Sequence, residues 1–208
     1  MIKNIAFKLK DSFYYKNLER LLEDCSTVLD VGCGSNSPIV NIRRHFYSEG
    51  IDIFPKSIKE SKKNKIHDKY KIGDVLKLED YYKKKSFDAV IALDLVEHME
   101  KKDSLELIKA MERIAKKKVI ILTPNGFYHQ DQLDGNPYQT HKSKWELKDF
   151  KRLGYKVYGL RGLKFLRGEY ASIKFRPWFL WGLIAFISEP ILYFIPQLSY
   201  HLLAVKKI

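Results

Sequence analysis

Short apolar runs alternate with amphipathic stretches along most of the chain. Phe13, Leu18, Leu21 and Leu22 fall at helical spacing, so residues 11–23 are predicted as an amphipathic helix. Residues 28–31 read as a short buried strand, and a modest helix holding Ile39, Val40 and Ile42 is expected after Pro38. A second strand is predicted at 51–53, a polar helix at 56–65, a weaker strand at 69–72 and a fourth strand at 87–93. A helix follows over about 104–116, with Asp103 and Glu106 spaced as a capping pair. A fifth strand at 119–122 closes on Thr123-Pro124-Asn125-Gly126. Residues 127–142 form a long polar loop, and Ser143 with Glu146 gives a second capping pattern, opening a helix that stops near Gly154. Strands at 155–160 and 201–206 complete the set.

Strands alternating with helices predict an α/β fold: a doubly wound, mostly parallel seven-stranded sheet with helices on both faces. The whole chain, 1–208, reads as one domain. Residues 25–160 form its core, 161–200 an apolar helical insert, and 201–208 the last strand. From Phe175 to Ile195 the side chains are nearly all apolar or aromatic, until Glu189-Pro190 interrupts them. That interruption predicts a helix–break–helix hairpin rather than a membrane span. Such an insert has four readings: ordinary core, a lid, a dimer interface, or a membrane contact. In the last, Trp178, Trp181 and Tyr193 would sit at headgroup level, with Lys164, Arg167, Lys174 and Arg176 against anionic lipid.

Composition sharpens this picture at two points. A formal net charge of +13 favours anionic partners, such as nucleic acid or a membrane surface, although the lysines are scattered over many elements. The two cysteines, Cys25 and Cys33, make no disulfide framework, so a cytoplasmic setting is expected. Metal-ligand spacing is absent, and the first residues lack the apolar core of a secretory signal.

In an open parallel sheet, ligands sit beyond the carboxyl ends of the strands. Four successive strands here end at or beside an acid: Asp30, Asp52, Asp74 and Asp94. Acids at equivalent places suggest acceptors around one hydroxyl- and amine-bearing ligand. Gly32 and Gly34 let the first loop turn tightly beside it. Asp52 lies about twenty residues beyond Gly32, the distance at which an acid reaches a ribose. Ser37 stands where the last glycine of a dinucleotide fingerprint would be, which disfavours NAD and favours a nucleoside without phosphates.

Together VLDVGCGSNSP, GIDIF, IGDV, FDAVIALDLVEHM and VIILTPNG resemble, in order, the motifs of class I S-adenosylmethionine-dependent methyltransferases of the small-molecule kind. The resemblance covers about 25–160 and a last strand near 202–206. It implies S-adenosyl-L-methionine as cofactor and S-adenosyl-L-homocysteine as product. It also implies roles. Asp30, Gly32 and Gly34 would hold the methionine part, and Asp52, beside Ile53, the ribose hydroxyls. Asp74 and the Val75 amide would contact adenine, and Asp94 and Leu95 would flank the other side. Asn36 replaces a glycine of many relatives, and asparagine tolerates the left-handed backbone such a turn uses.

Methyl transfer requires nucleophile and methyl in line, and a protonated nucleophile also calls for a base. The loop FYHQDQLDGNPYQTHKSKW offers His129, Asp131, Asp134, Tyr138 and His141, and the fourth motif adds His98. His129 and His141 are the preferred bases. The expected acceptor is a small-molecule or lipid-like compound, methylated at oxygen by a monomer or homodimer. Nucleic-acid methylation is the alternative that the charge supports, but Asn/Asp-Pro-Pro-Tyr/Phe and a cysteine nucleophile near the fourth or fifth strand are missing. A membrane-associated, non-catalytic protein keeping the fold is the third reading, and the intact Asp52 and Asp74 argue against it.

Overall fold

The computed structural model describes residues 12–132 and 135–208; Asp134 lies outside them. The sheet has seven strands: β1 (Thr27–Val31), β2 (Tyr47–Asp52), β3 (Lys69–Ile72), β4 (Phe87–Leu93), β5 (Ala115–Pro124), β6 (Lys156–Leu163) and β7 (Ser199–Lys207). Their order is β3-β2-β1-β4-β5-β7-β6. β7 runs antiparallel to both β5 and β6, and the other pairs are parallel. The order reverses between β1 and β4, so the crevice that binds ligands in such sheets opens there.

Both faces are covered. α1 (Ser12–Leu22) buries Tyr14, Leu18 and Leu22 against one face. α4 (Lys101–Ile114) and α5 (Leu147–Arg152) bury Leu107, Met111 and Phe150 on the other. α2 (Pro55–Lys63) and the single turn α3 (Leu78–Tyr81) follow β2 and β3. β4 is buried at every residue, as a central strand covered on both faces must be.

Several local expectations are corrected. Past Pro38 the chain makes only a 3-10 turn, Pro38–Asn41, because Ile42 is already extended. α4 begins before Asp103, with Glu100 as its N-cap, so Asp103 and Glu106 form no capping box. Asp103 instead sits in the first turn, where a negative charge suits the helix dipole. Ser143 does not cap α5 either; the reciprocal box is Glu146 with Asp149. Ser143 Oγ donates to the Val96 carbonyl and accepts from Trp145 Nε1, fixing the segment that leads into α5.

The apolar segment is one helix, α6 (Trp178–Leu192), running through Pro190, and not a hairpin. Pro190 falls in the last turn, where a missing N–H removes a single bond, and Tyr193 N–H still reaches the Glu189 carbonyl. Fifteen residues rise about 22 Å, short of the ~30 Å hydrocarbon core. Among the described residues no helix is long and apolar enough to cross a membrane.

α6 lies on β6 through small residues. A Cβ on Gly162 would stand 2.6 Å from the Ala185 carbonyl oxygen, and one on Gly159 would stand 2.3 Å from that of Leu192. This backbone-to-backbone fit buries Ala185, Glu189 and Leu192 and turns the large side chains outward: Phe179 is 74% exposed and Ile187 63%. Gly162 also has φ +72, so Gly162→Ala combines overpacking with left-handed strain. It is expected to cost about 3 kcal/mol, read as a fall of roughly 6–12 °C in Tm. Two of the expected lipid contacts lie elsewhere. Arg167 is buried, bonded to the carbonyls of Arg161 and Ala171. Tyr193 stacks on Tyr158 at 4.4 Å.

Candidate functional site

The loop after β1 is built on the next strand. The N–H groups of Gly32 and Cys33 both donate to the Ile51 carbonyl, at 2.8 and 3.1 Å. Gly32 (φ +67) has no room for a side chain, because a Cβ would lie 2.4 Å from Leu95 Cδ1. Gly34 (φ +58) faces open space. Those two glycines carry the turn. Asn36 is exposed and is not among the residues with positive φ, so it adopts no left-handed conformation. Asp30 is 1% exposed and turned under the loop, where Ser37 Oγ donates to it and His67 Nε2 lies 3.5 Å away. Burial pushes its carboxyl up to about 7, against the pull of the Ser37 hydrogen bond. Direct ligand contact by Asp30 is thus not what the geometry gives; it supports the loop from below.

Asp52 closes this arrangement. Its two carboxylate oxygens accept from Gly34 N–H at 2.9 Å and Phe54 N–H at 2.8 Å. Burial raises its pKa, opposed by those two bonds. Gly34 and Phe54 line a cavity of about 320 Å³ with Ser35, Ser57, Asn136 and Gln139. Ile53 follows Asp52 at the half-buried end of the strand. Asp74 caps the turn after β3 by accepting from Leu76 N–H, and Val75 is buried behind it.

Asp94 follows β4 directly with φ +56, held by its N–H to the Leu122 carbonyl. Its carboxylate stands 3.1 Å from His201 Nε2 on β7. Burial raises its pKa, but His201 and Arg161 outweigh this and bring it to about 2. Asp94 lines a second cavity, of about 330 Å³, with Glu97, His98, His141, Arg161 and His201. Gln139 belongs to both cavities, so the long loop spans them.

The three candidate bases all border this second cavity, unequally. His129 is at its mouth, 62% exposed and paired with Asp131 at 3.3 Å. His98 and His141 lie deeper, their rings 4.7 Å apart. Burial, with His141 adding to it, lowers His98 to about 4; burial lowers His141 too. Both imidazoles are therefore neutral at pH 7. Tyr138 is exposed and lines neither cavity.

Sequence reasoning missed His201, Arg161, Tyr200 and Tyr14. His201 sits in a stretch that reads only as a strand, and Arg161 at the first residue of the predicted apolar insert. The antiparallel register pairing His201 with Pro124 is what brings that histidine to the carboxyl end of the sheet. Tyr14 lies within the predicted first helix, and its buried hydroxyl has no hydrogen-bond partner among the described residues. It feels the charges of Asp94, Arg161 and Asp30. Asn125 acts structurally. Its amide donates to the carbonyls of Pro196, Gln197 and Ser199, tying the exit of α6 to the end of β5.

Residues 29–123, β1 through β5, match a family model described as a methyltransferase domain. Those residues carry a methyltransferase domain. The matched segment stops before the 127–142 loop and α6. Solved structures agree in fold over nearly the whole chain. A SAM-dependent methyltransferase from Archaeoglobus fulgidus is 18% identical, with 98% of this chain and 99% of that one covered and a TM-score of 0.59. A Pyrococcus horikoshii protein is 16% identical (97% and 90% covered, TM-score 0.61). Magnesium protoporphyrin IX methyltransferase from Synechocystis, solved with bound SAM, is 14% identical (97% and 81% covered, TM-score 0.55). Among curated proteins no match was found.

Proposed function

We propose that this methyltransferase transfers a methyl group to a hydroxyl oxygen of a small, lipid-like acceptor, and that it works as a peripheral protein at the cytoplasmic surface of an anionic membrane. One observation carries the reading. The segment that lines the second cavity with Arg161, Tyr170 and Ala171 continues through Phe175, whose ring meets Trp181 and exposed Phe165, into the outward apolar face of α6. The acceptor cavity and the apolar surface are thus two parts of one stretch of chain. Lys164, Lys174 and Arg176 are exposed beside that surface, and the net charge is +13. An apolar face rimmed by lysine and arginine suits the boundary of an anionic bilayer.

The residues fit the cofactor. Each Asp52 oxygen keeps a lone pair after accepting one backbone N–H, enough for the two ribose hydroxyls. Open space at Gly34 admits a ligand against the backbone. Asp74 and Val75 would contact adenine, Gly32 and Gly34 the methionine part, and Leu95 and Asp94 the side facing the acceptor. Asp30 would act through the loop it supports. When bound, S-adenosylmethionine supplies an electrophilic methyl on a positively charged sulfur. The protein must hold a hydroxyl oxygen in line with that methyl and take its proton. The neutral imidazoles of His98 and His141 inside the cavity, and His129 at its mouth, are placed to assist.

A buried hydroxyl without a partner, that of Tyr14, destabilises the protein by about 1–3 kcal/mol. Tyr14→Phe should therefore raise Tm, as a melting curve would measure.

For the acceptor, purified protein would be incubated with methyl-labelled S-adenosylmethionine and a total lipid extract or, separately, total RNA. Label entering the organic phase with the wild type, and not with Asp52→Ala, supports the reading. Label entering RNA alone overturns it, as does no transfer by protein that binds S-adenosylhomocysteine.

A further inference from the structure

We propose that Glu97, His98 and His141 form a divalent-cation site that binds the acceptor's hydroxyl oxygen. This rests on reading the second cavity as the acceptor site. The three side chains each offer one ligand atom, and these atoms lie within 4.8 Å of one another. Ligands held about 2.1 Å from a cation are at most about 4.2 Å apart, so side-chain shifts of under an ångström close the set.

The surroundings do what the neighbours of metal ligands do. His98 Nδ1 lies 3.3 Å from the Thr140 carbonyl, and His141 Nδ1 lies 2.7 Å from the Tyr128 carbonyl. A carbonyl only accepts, so each Nδ1 carries the proton and each Nε2 keeps its lone pair. Backbone carbonyls that fix tautomer and ring orientation in this way are the usual outer partners of ligating histidines. Glu97 is likewise oriented: its Oε2 accepts from Thr123 Oγ1 at 2.9 Å, and its side chain is buried.

The backbone also brings the ligands together. Lys142 and Ser143 N–H both donate to the Glu97 carbonyl, at 2.8 and 3.0 Å. His141 N–H donates to Gln130 O at 3.1 Å. These bonds clip the loop that carries His141 onto the turn that carries Glu97 and His98. Sequence spacing hides such a set, because one ligand is far along the chain from the other two.

Two imidazoles and one carboxylate suit Mn²⁺, Fe²⁺, Co²⁺ or Zn²⁺ better than Ca²⁺ or Mg²⁺. All three ligands line the 330 Å³ cavity, so the remaining coordination positions open toward the space an acceptor would occupy. A hydroxyl bound there loses its proton to water at the cavity mouth more readily than a free one. The oxygen then forms its bond to the methyl carbon as the carbon–sulfur bond breaks. The products are methyl ether, neutral S-adenosylhomocysteine and one proton. His98 and His141 would in that case be ligands rather than bases.

The test uses the full chain freed of metal with a chelator, at pH 7.5. Mn²⁺ would be titrated by electron paramagnetic resonance and calorimetry, and Co²⁺ followed by its visible absorption. One saturable site per chain is expected, weakened at least about 100-fold in Glu97→Gln and His141→Ala. S-adenosylhomocysteine affinity in both variants would stay within about threefold of wild type, showing that they fold. Co²⁺ bands that vanish in His141→Ala would confirm imidazole ligation. Absence of saturable binding, or binding that both variants retain, overturns the proposal. Specific metal binding without methylation of any hydroxyl compound would overturn the acceptor role and leave the cation site standing.

Discussion

Asp52→Ala should lower affinity for S-adenosylhomocysteine by at least about 100-fold while leaving the protein folded. Hydrogen bonds to a charged acceptor contribute about 1.5–3 kcal/mol each, and alanine would remove two from the ribose. The same change frees the N–H groups of Gly34 and Phe54, so the loop loses its brace as well. Asp52→Asn should do little better. Both carboxylate oxygens are acceptors from backbone N–H, and an amide must turn its NH₂ toward one of them. Calorimetry reads the affinity, and a melting curve separates binding from unfolding. Burial raises the pKa of Asp52, and the protonated acid is a poorer acceptor. Affinity should therefore decline as pH falls, beginning above the ordinary carboxylate range. An Asp52→Ala protein that binds as tightly as wild type would sink the proposed placement of the ribose.

Membrane binding is where a surface change should matter most. Phe179→Asp combined with Ile187→Asp is expected to reduce partitioning onto vesicles of mixed zwitterionic and anionic lipid by at least about 100-fold. Burying one large apolar side chain contributes about 1.5–3 kcal/mol, and the variant removes two and adds two negative charges facing an anionic surface. Both side chains are mainly solvent-exposed, so the variant's Tm should stay within a few degrees of wild type. Vesicle flotation at low and high salt measures the effect. Purely zwitterionic vesicles should bind the wild type more weakly, by the loss of attraction to Lys164, Lys174 and Arg176. A wild type that ignores vesicles but elutes as a dimer, with the variant a monomer, would show that the face is an interface between copies.

The sheet is legible in the sequence because its signals are local. β1 and β4 are short, mostly apolar runs, and the acids and glycines at or just beyond their ends mark where they stop. The strands β1 to β4 are parallel, so their terminal acids all fall at one edge of the sheet, although in space the strands run β3-β2-β1-β4. What the sequence conceals depends on contacts between distant segments. The helix expected at Pro38 is only a turn because Ser37 and Ile42 leave it no room, and periodicity carries no trace of that. In α6 an isolated Glu-Pro pair looks like a breaker. Only the packing shows that Glu189 is buried and that Pro190 falls in the last helical turn. His201 cannot be distinguished from an ordinary strand residue until its register across β5 is known. The Glu97–His98–His141 cluster is half visible, since the Glu-His pair is a motif, but its third member arrives on the loop.

The close seating of α6 on β6 makes that helix a fixed platform rather than a floating anchor. With carbonyl groups of Ala185 and Leu192 set directly over Gly162 and Gly159, the helix has no slack to tilt or slide. Once its outer face rests in a leaflet, the height of the cavity above the acyl chains is set by the protein. On the proposed membrane-bound reading the enzyme would work as a ruler. It would select acceptors by the distance between their hydroxyl and their apolar tail, and kcat/KM across a series of graded spacers should pass through a single maximum.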